Sequence, residues 1–146
     1  MKRNKGRLIL ISLALLMMIP LVCSPVSAGE IRVITSQNTP VDTIDEGVIE
    51  NIFLGKKSTW PDGKPVEFVV LKSGDTHDAF LAAYVKKSSA QFVLYWKTQV
   101  FTGKGKSPRF FDSESDLMAY IAGKDGVIGY VSATTDIAGA KVLNKK

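Results

Sequence analysis

The sequence predicts an α/β fold, a mainly parallel sheet with helices packed on both faces. Three observations predict it. Strand-like and helix-like segments alternate along the chain, with one pair of consecutive helices. Residues 66–71 (VEFVVL) and 126–131 (GVIGYV) are apolar almost throughout, as strands covered on both faces are. The helical segments open on capping residues, and two of them close on glycine, at Gly55 and Gly123.

Residues 30–35 (EIRVIT) are short, β-branched and alternating, and read as the first strand. A polar loop, Ser-Gln-Asn-Thr-Pro, follows. Thr43 and Glu46 fit a capping box, opening a helix with Ile44, Val48, Ile49, Ile52 and Phe53 at helical spacing. Gly55 suits the left-handed position just past its end. In residues 60–63 (WPDG), Pro61 presets φ and Asp62-Gly63 completes a turn. Trp60 is expected to anchor this helix–strand loop on the core rather than to touch a ligand. After the strand at 66–71, Asp75, Thr76, His77 and Asp78 cap a helix with Phe80, Ala83 and Tyr84 on one face. Ser88 with Gln91 forms a second box, opening a helix with Phe92, Trp96 and Val100 in register and Phe101 at its close. Residues 102–108 (TGKGKSP) form a loop by composition. Ser113 with Asp116 caps a fourth helix carrying Leu117, Met118 and Ile121 and ended by Gly123. The strand at 126–131 and a short one at 141–143 complete the chain.

The first residues read as an export signal. Lys2, Arg3, Lys5 and Arg7 precede an apolar run at residues 8–22, and Val26-Ser27-Ala28 forms a small-x-small cleavage site before Gly29. The run is shorter than the ~20 residues a spanning helix needs, so no stable membrane anchor is expected after cleavage. Cys23 raises a lipoprotein alternative, but Val22 stands where a small residue is usual. The expected product, residues 29–146, is one α/β domain in the periplasm or secreted. It has no cysteine and hence no disulfide, so packing alone must hold it. The signal carries four of the 19 basic residues and none of the 14 acidic ones, which leaves a net charge of +1. That balance lacks the basic field nucleic acid requires, so no nucleic-acid partner is expected.

Catalytic chemistry is hard to assemble. His77 is the single histidine, and it reads as a solvated residue of a helix first turn, because triads and metal sites need partners. The acidic residues fall mostly in helix first turns, where the dipole accounts for them. Gly103-Lys104-Gly105 lacks the form of a phosphate loop. Neither an enzyme nor a metal or other cofactor is expected. The informative stretch is Lys72, Ser73, Gly74, Asp75 and Thr76, which follows a buried strand and opens a helix. Ligands in open α/β sheets collect at the carboxyl ends of strands, and a helix N-terminus offers free N–H groups to an anion. These five residues read equally as an oxyanion site and as plain capping residues.

Residues 52–56 (IFLGK) with Trp60-Pro61-Asp62-Gly63, then Phe101-Thr102-Gly103-Lys104-Gly105, then Gly126-Val127-Ile128-Gly129-Tyr130-Val131, resemble in order and spacing the periplasmic phosphate-binding proteins of ABC transporters. Tyr95-Trp96 before Phe101-Thr102-Gly103 is similar to the short, single-lobe relatives of that family. The resemblance covers most of residues 45–132. It implies one lobe of the type II periplasmic binding protein fold, and phosphate as ligand. The family's second-lobe anion motif runs Arg-x-Asp-x-Ser-Gly-Thr; here Lys72 stands at the arginine, with Asp75 and Thr76 loosely aligned. Lysine supplies the charge but not the bidentate fork. The first lobe's glycine-rich phosphate contacts have no counterpart.

Two functions follow as expectations. One is an exported solute-binding protein for phosphate or a related oxyanion, working with an ABC transporter permease. The other is a one-lobe interaction or sensory module without ligand affinity of its own, docking on a transporter, a sensor protein or a second copy of itself.

Overall fold

The computed structural model describes residues 29–146. The export signal, its cleavage point and Cys23 lie outside the described residues. Among the described residues no helix is long and apolar enough to cross a membrane.

The elements in chain order are β1 (Ile31–Ser36), β2 (Thr43–Ile44), α1 (Glu46–Phe53), β3 (Glu67–Leu71), α2 (Asp75–Phe80) running on into a π-helical turn (Leu81–Val85), α3 (Ser89–Phe101), β4 (Arg109–Phe111), α4 (Glu114–Ala122), β5 (Val127–Ser132), β6 (Ala140–Val142) and β7 (Asn144–Lys145). The main sheet has the order β4-β3-β5-β1-β6. β3 is parallel to both β4 and β5, whereas β1 is antiparallel to both β5 and β6. Four strands therefore point one way and β1 alone runs against them, so the sheet is mainly parallel, as expected. β2 and β7 form a separate parallel pair.

Period-two alternation splits β3 and β5 between two faces. Phe68 and Tyr130 face α1, α2 and α3. Phe80 stacks on Tyr130 with ring centroids 3.8 Å apart, and Phe53 lies 4.7 Å from Phe80 and 5.2 Å from Phe68. Trp96 of α3 lies 5.3 Å from Phe68. Such pairs contribute about 0.5–1.5 kcal/mol each beyond area burial. The opposite face carries Val69 and Gly129 under α4. A Cβ on Gly129 would come within 2.6 Å of Ile121 and 3.1 Å of Leu117, so the missing side chain sets how closely α4 approaches the sheet. Helices thus cover both faces.

Local signals held where they closed on themselves. Ser88 and Gln91 form the full reciprocal box at the start of α3, and the Ser113 hydroxyl accepts from Asp116 N at 3.1 Å. Gly55 takes the left-handed conformation after α1 with φ +68°. Trp60 is 1 % exposed; its Nε1 donates to Gly126 O at 3.3 Å, and the WPDG turn closes through Gly63 N to Trp60 O at 2.9 Å.

Other signals did not hold. The box at Thr43 and Glu46 is absent. Asp45 is the N-cap of α1 and makes no side-chain cap bond, because Thr43 and Ile44 are held in β2 against Asn144 and Lys145. In the helix after β3 the π-helical turn shifts the register, so that Leu81, Tyr84 and Val85 are buried with Phe80 while Ala83 is exposed. Val100 falls outside the buried row of Phe92 and Trp96 and is 45 % exposed. β4, three residues directly after Pro108, carried no strand signal of its own; pairing with β3 makes it one.

Candidate functional site at the carboxyl edge of the sheet

β3, β4 and β5 share a direction, so their carboxyl ends meet along one edge. Lys72 leaves β3 there and is tied to the neighbouring strand by Lys72 N to Phe111 O at 2.9 Å. Its ammonium reaches Asp112 Oδ1 at 2.6 Å, with both side chains largely exposed. Ser73, Gly74 and Asp75 are also exposed, and among the described residues the side chains of Ser73 and Asp75 make no hydrogen bond. Gly74 is the N-cap of α2, with φ +111°, which a glycine adopts most readily. The expected side-chain capping by residues 75–78 is absent. The first helical bond runs from Asp78 N to Gly74 O at 3.0 Å, so the amides of Asp75, Thr76 and His77 have no partner within the helix.

The Thr76 hydroxyl donates to Glu114 Oε1 at 2.6 Å. Glu114, at the start of α4, is the centre of the edge. Its other oxygen accepts from Ser132 N at 3.0 Å and from the Thr135 hydroxyl, and Ser132 Oγ lies 3.0 Å from both Thr134 and Thr135 hydroxyls. Partial burial pushes the Glu114 pKa up, but the donors from Thr135, Thr76 and Ser132 together outweigh it and hold the carboxyl below its ordinary range. The edge therefore gathers one cation, three carboxylates, several hydroxyls and an uncapped helix start. Lys72, Gly74 and Thr76 all lie on this edge, but the Lys72 ammonium is directed to Asp112 and the Thr76 hydroxyl to Glu114. Asp112, Glu114, Ser132 and Thr135 were missed, since a first-turn acid is already accounted for by the helix dipole. Among the described residues no group of three His, Cys, Asp or Glu is placed to hold a metal ion.

His77 corrects the sequence reading. It is 1 % exposed, not solvated. Its Nδ1 lies 2.5 Å from Tyr130 Oη, and that same hydroxyl accepts from Leu71 N at 3.0 Å. The Tyr130 hydroxyl thus joins the Leu71 amide and the His77 imidazole in one buried hydrogen-bond network. Burial lowers the His77 pKa, only partly opposed by Asp78, and burial raises that of Tyr130. The sign follows directly. A histidine depressed in the folded state contributes stability that is fully present above its unfolded pKa of about 6.5 and is lost as pH falls below that value. Urea unfolding at pH 7.5, 6.5 and 5.5 should show stability falling through this window, by at most about 1.4 kcal/mol per pH unit for one proton. His77→Gln should flatten the fall.

An α/β layer with four co-directed strands, helices on both faces and a polar cluster at the strand ends is the layout of one lobe of a type II periplasmic binding protein. The solved structures bear this out at the level of fold. The chain superposes on a phosphate ABC transporter substrate-binding protein from Clostridium perfringens with bound phosphate (TM-score 0.62, 20 % identity, 80 % of this chain and 45 % of that one). It matches PstS from Borrelia burgdorferi equally well (TM-score 0.62, 15 % identity, 81 % and 47 %). An ABC-type phosphate transport receptor from Vibrio cholerae is also similar (TM-score 0.54, 12 % identity, 80 % and 46 %). The chain thus spans under half the length of each and has the fold of a single lobe. No family model matches the sequence, and no curated protein is similar to it.

Proposed function

We propose that this chain is an exported solute-binding-type protein, not an enzyme, that takes up phosphate or a related small oxyanion for an ABC transport system. The observation that carries the reading is the carboxyl edge of the sheet, where exposed Lys72 and Ser73 lead from β3 into the start of α2 and the amides of residues 75–77 have no partner within the helix. The lobe around that edge is the fold of known phosphate-binding proteins. The Lys72–Asp112 pair is exposed and such pairs contribute about 0–1 kcal/mol, so an oxyanion can take the lysine at little cost. Asp75 and Asp112 oppose a fully ionised anion and can accept a hydrogen bond from a protonated one. Phosphate, which retains a proton at neutral pH, is therefore favoured over sulfate. A one-sided site encloses less ligand than a full pocket, so the expected Kd is of millimolar order, about −4 kcal/mol. Calorimetry at increasing phosphate should register saturable heat, weaker for sulfate. Lys72→Ala should lose at least roughly tenfold, the low end of the about 1.5–3 kcal/mol of a charged hydrogen bond. Absence of heat at these concentrations would remove the reading for the isolated chain.

A second reading, a one-lobe interaction module, is favoured by the outer surface of α3. There Val93, Leu94, Val100 and Phe101 are exposed, Phe101 by 93 %, and an exposed apolar patch marks a partner surface. Light scattering separates the two readings: a monomer with phosphate affinity supports the first, and a dimer without affinity the second.

A further inference from the structure

The opposite end of the same strands carries a different kind of site. A cavity of about 630 Å³ opens beside the start of β3 and β4, between the α1–β3 loop and the α3–β4 loop. Its size falls within the range of small-molecule sites, about 300–1,000 Å³. The floor is apolar and aromatic, formed by Trp96, Phe68, Ile52 and Val66. Trp96 is fixed by its Nε1 donating to Phe53 O at 3.2 Å and by Phe68 at 5.3 Å. Gly55 and Gly105 line the wall. A Cβ on either would come within 2.7 Å or 3.0 Å of the Trp96 ring, so both glycines let the backbone pack close against the ring edge.

The rim is cationic, with Lys57, Lys106 and Arg109. Glu67 is the single acid among the lining residues, and it is already held by Lys124 and by the Tyr120 hydroxyl at 2.8 Å, with Arg109 at 3.8 Å. Lys57 and Lys106 form no ion pair among the described residues. An aromatic platform under three cations has two demands, a planar apolar body and an anionic group. We propose that this cavity binds a small aromatic carboxylate. The ring lies over Trp96 and Phe68, and the carboxylate meets Lys57, Lys106 and the planar fork of Arg109, which suits a carboxylate's two oxygens. The site stands about 13 Å from Lys72 along β3, four residues at about 3.3 Å each. It does not rest on the phosphate reading.

The test is a titration of the purified protein with 1-naphthoate, followed by tryptophan fluorescence. Trp96 lines the cavity and reports on it, while Trp60, which does not line it, gives a constant background. Saturable change at up to about 10 mM is expected, the range in which sites of about −3 to −4 kcal/mol register. Lys106 is exposed, Lys57 is half-buried, and neither belongs to the core, so the double variant Lys57→Glu/Lys106→Glu should weaken binding at least about tenfold with an unchanged melting temperature. Gly105→Leu should abolish binding by filling the cavity, and Lys72→Ala should leave it unaltered. No saturable change with the unaltered protein, or saturation undiminished in the double variant, overturns the proposal.

Discussion

Replacing Trp60 with alanine is expected to lower the unfolding free energy by about 3–5 kcal/mol. For a domain of this size that is a fall of roughly 12–20 °C in Tm. The effect is large because one side chain performs two tasks. It fills core volume at 1 % exposure. It ties the α1–β3 loop to Gly126 O through Nε1. Trp60→Phe retains most of the volume and the turn but loses the Nε1 bond, so it should cost only about 1–2 kcal/mol. Thermal and urea unfolding of the two variants separate packing from hydrogen bonding. A Trp60→Ala protein of full stability that had lost only ligand affinity would reassign the tryptophan to a binding surface.

Tyr130→Phe is the second large effect. The ring would stay stacked on Phe80, so the apolar core is almost unchanged. What goes is one hydroxyl serving two buried groups, Leu71 N at 3.0 Å and His77 Nδ1 at 2.5 Å. Each buried group left without a partner costs about 1–3 kcal/mol, so a loss of about 2–4 kcal/mol is expected despite the single-atom change. Leu71 immediately precedes Lys72 and His77 lies in the first turn of α2, so the same bonds brace the carboxyl edge from beneath. Equilibrium unfolding measures the stability loss. Faster amide exchange of residues 71–78 in Tyr130→Phe would show that it is felt at the edge.

The balance between what could be read from the residues and what could not follows the range of the interactions. Ser88 with Gln91, Gly55 and the WPDG turn close within a few residues, and each formed as its pattern indicated. Thr43 with Glu46 has the same local pattern as a true box, yet a strand from the far end of the chain claims Thr43 first. His77 looked solvated because its partner, Tyr130, lies 53 residues away. Glu114 looked like an ordinary first-turn acid because Thr76, Ser132 and Thr135 reach it only once β3 and β5 pair. The strand-end stretch from Lys72 to Thr76 was legible as a candidate, since a buried strand followed by a helix start defines that place in any open α/β sheet. The carboxylates around it were not, because Asp112 and Glu114 reach that edge only through the pairing of β3 with β4 and β5.

Amide chemical shifts followed during a phosphate titration test most directly whether an oxyanion binds at the carboxyl edge of this single lobe. Saturable shifts confined to residues 72–77 and their neighbours at 112–114, and lost in Lys72→Ala, are the predicted result. No saturable shift in that segment, or shifts centred elsewhere with residues 72–77 silent, would contradict it.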